Sequence, residues 1–128
     1  MLSLEIADKN GTWIAEASTV LDEELLDYLA GLSGFPALEA LCGLDSAGKT
    51  LFDEPAREAL KRDVEALAPQ VERRQVPEPP AYVGLEGTGD IRVGEEFGWA
   101  GLGEFLRRLH RMLVLARQPG MEMWAVGE

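Results

Sequence analysis

Eight residues of this chain have the types and spacing of a phosphate-binding loop. Gly43-Leu44-Asp45-Ser46-Ala47-Gly48-Lys49-Thr50 fits G-x-x-x-x-G-K-[ST] at every defined position. In that chemistry loop N–H groups cradle phosphates, the lysine reaches the β and γ groups, and the hydroxyl holds Mg²⁺. Those tasks would fall to Gly48, Lys49 and Thr50. The pattern counts only when a buried strand runs into it and a helix starts within it. The flanking residues predict otherwise. Pro36 to Cys42 is rich in Ala and Leu, lacks β-branched residues and prefers helix. Pro55 would clash with the carbonyl of Leu51 in a helix begun at Lys49. After Thr50 there is no D-x-x-G, no N-K-x-D and no apolar strand ending in a Walker-B Asp. A surface turn, rich in Gly, Asp and Ser, is the expected structure. Nucleotide binding through 43–50 stays as the alternative.

The eight residues resemble the phosphate loop of ADP-ribosylation-factor-type small GTPases, but such a GTPase needs more chain than this. The remaining chemistry-bearing residues form no constellation. Gly87-Thr88-Gly89 lacks the third glycine of a dinucleotide loop, because Arg92 stands there, and reads as a turn. Asp22, Glu23, Glu24 and Asp27 have no EF-hand spacing and read as a solvated helix face. His110, among Arg107, Arg108 and Arg111, is expected at a surface rim with no triad partner. Cys42, beside Leu41, is expected as a small buried residue and not a nucleophile. A single Cys and a single His exclude an internal disulfide and the usual zinc sites. The expectation is a chain that is not an enzyme and uses no cofactor or metal.

Composition narrows the partner. The 128 residues predict one domain spanning 1–128, and 46% hydrophobic content suffices for a packed core. A net charge of −11 opposes phosphate contacts with nucleic acid and docking on anionic membranes. No apolar run approaches membrane-spanning length, and MLSLEIADKN has no basic leader or long apolar stretch, so a cytoplasmic protein is expected. The charge is skewed: residues 1–56 hold eleven acids against Lys9 and Lys49, while 57–128 hold twelve acids and ten bases. A field of that kind speeds encounter with a basic protein. The expected contacts are Asp22, Glu23, Glu24 and Asp27 at a helix start, with Asp45 and Asp53 in the following loop.

The elements that carry these residues follow from periodicity. Leu4–Asp8 and Thr12–Glu16 flank Asn10-Gly11, which predicts a two-residue type I′ hairpin pairing Ile6 with Ala15, Leu4 with Ala17 and Glu5 with Glu16. Ser18 or Thr19 would cap a helix over 20–31. Pro36 suits a first helical turn, and Asp53 with Pro55 opens a helix whose buried stripe is Ala56, Leu60, Val64 and Leu67, ending at Pro69. Residues 70–80 read as an extended connector and 82–93 as a second hairpin. Leu102, Phe105, Leu106, Leu109, Met112, Leu113 and Ala116 form one face of a helix over 100–117, and Met121 to Val126 a last strand. Strands and helices segregate, so the fold class is α+β: a mainly antiparallel sheet of four or five strands with about three helices on one face. Leu4, Ile6, Leu25, Leu29, Leu60, Val64, Leu106, Leu109, Leu113 and Trp124 are the expected core.

Two stretches resemble the small acidic bacterial immunity proteins that neutralise polymorphic toxins. One is Gly43 to Leu67 (GLDSAGKTLFDEPAREALKRDVEAL), a short turn, a brief extended piece and a helix; the other is the C-terminal helix followed by MEMWAVGE. The resemblance implies a non-enzymatic inhibitor of one protein partner, encoded beside its toxin. It assigns no binding residue.

Overall fold

A computed structural model describes residues 2–45, 47–80 and 97–127, with only the backbone of Phe97. The hairpin expected over 82–93 lies outside the described residues. The chain runs β1 (Leu2–Ala7), β2 (Trp13–Leu21), α1 (Glu23–Ala30), α2 (Pro36–Ala40), a 3-10 turn (Leu41–Gly43), β3 (Lys49–Phe52), α3 (Glu54–Glu72), α4 (Phe97–Leu115) and β4 (Glu122–Gly127). This is the expected α+β class, with four antiparallel strands in the order β2-β1-β4-β3.

The first hairpin forms, but with another turn and register. Gly11 N–H donates to Asp8 O at 2.9 Å and Asp8 N–H to Thr12 O at 2.9 Å, a three-residue loop. Gly11 takes φ +77° while Asn10 stays negative. That is a type I turn closed by a glycine bulge, whereas type I′ needs positive φ at both central residues. Asp8 decides the outcome, since its Oδ1 accepts from Asn10 N at 2.8 Å and Thr12 N at 3.0 Å. Trp13 therefore faces Ala7, and after an irregularity Ser18 faces Glu5 and Thr19 faces Leu4. The bulge removes the repulsive Glu5–Glu16 pairing. It also carries β2 through Leu21, so Ser18 and Thr19 are strand residues and the cap of α1 is Asp22, whose Oδ1 accepts from Leu25 N at 2.8 Å.

Alternation along the strands assigns the two sheet faces. Leu2, Leu4, Ile6, Leu21, Phe52, Met123 and Ala125 are buried with the helices in one core. Trp124, expected there, instead faces the opposite side and is half-buried. The reason is register: β4 is a central strand between β1 and β3, and Met123 and Ala125 take its inward positions.

The helices pack as their stripes require. Leu60, Val64 and Leu67 of α3 are buried, as are the six apolar positions expected from Leu102 to Leu113 on α4 and Ala116 just after it. Asp53 caps α3 by accepting from Ala56 N at 2.9 Å, with Pro55 in the first turn. Phe35 offers α2 no side-chain cap, so Asp63 of α3 supplies one, accepting from Ala37 N at 2.7 Å and Leu38 N at 3.2 Å. Pro69 does not end α3. The helix runs through it to Glu72 and buries Val71, stopping where Arg74 takes φ +55° and Gln75 N–H reaches back to Gln70 O at 2.7 Å. A proline removes one backbone bond but can sit inside a helix that packing holds together. The connector then crosses α1, where Tyr28 Oη donates to Pro77 O at 2.7 Å.

Candidate functional site

The flanks of the 43–50 match are reversed from those of a phosphate loop. A helix and a 3-10 turn lead into Gly43, and a strand begins at Lys49. Asp45 organises the turn, its Oδ1 accepting from Ala47 N at 2.9 Å. Thr50 pairs with Ala125 in the sheet. Lys49 reaches across the outer sheet face, placing Nζ 5.7 Å from the ring centroid of Trp13. Lys49 itself is exposed, on the same outer face as that ring.

The six acids expected to meet a partner divide into two kinds. Asp22, Asp45 and Asp53 hold local backbone N–H groups, and Asp22 is buried at 7% exposure. These three build turns and helix starts, where a carboxylate also meets the positive end of the helix dipole. Glu23, Glu24 and Asp27 are exposed on α1. Sequence reasoning missed a fourth exposed acid of the same region, Glu39 on α2.

Cys42 reports how these acids lie. The residue is exposed, contrary to the buried position expected, because the 3-10 turn directs Leu41 inward. Its thiol donates to Leu26 O at 3.0 Å. Partial burial of the sulfur, then the charges of Glu39 and Asp27, push its pKa up. Two carboxylates from separate helices thus act on one point of the surface. Burial and the two charges together favour the protonated thiol over the thiolate.

Among the described residues, the ion pairs lie from Glu58 onward. The pairs among the described residues join Lys61 and His110 to Glu65, Arg117 to Glu58, and Arg107, Arg108 and Arg111 to Glu104. All lie on α3, α4 and the residues just after. Glu23, Glu24, Asp27 and Glu39 make none. His110 sits at the rim as expected, 3.5 Å from Glu65. Burial alone would raise the Glu104 pKa, but hydrogen bonds from Arg107 and Arg108 and their charges hold it below the usual carboxylate range.

Two recesses flank α4. One, of about 1390 Å³, runs between α3 and α4 past Val71, Trp99, Leu106 and His110. The other, about 620 Å³, lies between the irregular stretch of β2 and Arg108, Arg111 and Met112. Among the described residues no three His, Cys, Asp or Glu side chains gather as metal ligands, and no helix is long and apolar enough to cross a membrane. Compared with known protein families, curated proteins and solved structures, the chain matches none.

Proposed function

We propose that this protein is a non-enzymatic binding module that inhibits a protein partner with a basic surface, in the manner of an immunity protein against a bacterial toxin. One observation carries the reading: Glu23, Glu24, Asp27 and Glu39 are exposed on adjacent helices with no ion pair among the described residues, while the arginines of α4 are engaged with Glu104. Unpaired like charges repel and cost a little stability, and a basic partner removes that cost on binding. The charge of −11 and the resemblance of Gly43–Leu67 and the C-terminal stretch to immunity proteins support the same conclusion. The cytoplasm is the proposed location, where a toxin's producer needs protection.

Affinity capture from the source cells tests it, followed by reconstitution from purified components. The expected result is one basic protein that forms a defined complex and loses its activity in it. Recovery of an acidic protein, or a reconstituted complex with unaltered activity, would overturn the reading.

A further inference from the structure

The helices cover one face of the sheet, and the other face presents its own set of side chains. Trp13 and Leu51 are exposed there at 41% and 47%, with Trp124 and Val126 half-buried beside them. In register, Trp124 lies between Glu5 of β1 and Leu51 of β3. Indoles of this kind dominate the energetics of protein contacts and attract cations over their rings. The face already holds one cation. Lys49, on one edge strand, reaches Trp13 on the other, so its ammonium crosses β1 and β4 above the central pair. Glu5 supplies an anion at that centre; its apolar surroundings raise its pKa against the opposing hydrogen bond of Ser3.

We propose that this face is a contact site for an arginine or lysine side chain of the partner, received over the Trp13 ring, where Lys49 stands in the free protein, with Trp124 and Glu5 on the same face. The inference rests on the reading of a basic partner and adds a second contact surface, on the side of the sheet away from the helices. Charge selects the occupant. A second copy would bring another −11 against the same face, and an anionic lipid surface is repelled for the same reason. An indole wall over a carboxylate floor suits a cationic side chain on both counts. Arginine fits best, because its planar guanidinium stacks on a ring while its edge bonds the carboxylate.

The three tryptophans make the test internal. Trp99 lies on α4, 5.6 Å from the Arg74 guanidinium, and serves as the reference. The full chain, labelled with ¹⁵N, is titrated with a synthetic decapeptide of alternating Arg and Ser, and with the same peptide carrying citrulline for Arg. The indole N–H signals of Trp13 and Trp124 should move with the arginine peptide and not with the citrulline one, while Trp99 stays. Glu5→Gln should weaken binding about fivefold, and Lys49→Ala should strengthen it about twofold by vacating the ring. Equal movement of all three indoles, equal binding of the citrulline peptide, or wild-type affinity in Glu5→Gln would overturn the site. So would indole shifts that follow protein concentration without peptide, which mark a second copy. A peptide that moves α1 amides but neither Trp13 nor Trp124 removes this site and leaves the basic-partner reading standing. One that moves no signal removes both.

Discussion

Lys49 and Trp13 occupy opposite edge strands of a four-stranded sheet, yet the ammonium of one lies 5.7 Å from the ring of the other. The right-handed twist of a sheet lifts diagonal corners toward the same side, so a long lysine and a tryptophan can meet over the middle. This contact, with a strand beginning at Lys49, gives the lysine a setting unlike that of a phosphate loop. Titration calorimetry with GTP or ATP and Mg²⁺ should show no binding heat. Lys49→Ala should leave that result unchanged and lower stability by no more than about 1 kcal/mol, the value of an exposed cation–π contact.

The acids of the N-terminal half should separate by experiment as they do by geometry. Asp22→Ala and Asp53→Ala each remove a cap and should cost about 1 kcal/mol or more, Asp22 the greater because it is buried. Glu23→Gln, Glu24→Gln and Asp27→Asn should each stay within about 0.5 kcal/mol. Urea melts of the five variants check the division. A cap variant as stable as the parent would contradict it.

Glu104 should make part of the stability depend on pH. Its folded-state pKa lies below the usual range because hydrogen bonds from Arg107 and Arg108 and their charges outweigh the effect of burial. Its contribution is therefore complete above the unfolded-state pKa and is lost as pH falls through the depressed folded value. Glu104→Gln should melt lower than the parent at neutral pH, and the two should converge in acid. Thermal melts across pH check this; a constant gap would show that the arginines matter only by packing.

Much of the fold was legible where local chemistry decides structure. The six apolar positions from Leu102 to Leu113 on α4 are spaced for one buried face, and Asp53 with Pro55 marks a helix start without help from elsewhere. Legibility failed where distant or competing contacts decide. Asn10-Gly11 reads as a two-residue turn until the Asp8 carboxylate is allowed to close a longer one. Trp124 looks like core until β4 is placed between two strands, which fixes which of its faces turns inward. Pro69 looks like a stop, but Val71 beyond it has a place in the core. For the candidate site, Asp22, Asp45 and Asp53 of the six expected acids also accept local backbone N–H groups. Glu39 was missed because only the fold brings α2 beside α1.

The rate of association with the basic partner across a salt series tests the central claim most directly. Stopped-flow mixing would compare the parent with the Glu23→Gln/Glu24→Gln/Asp27→Asn/Glu39→Gln chain. At low salt the variant should associate several-fold more slowly, with a flatter salt dependence and a nearly unchanged dissociation rate, and the two should converge as screening grows. Equal association rates at every salt concentration would contradict the claim that these four unpaired acids face the partner.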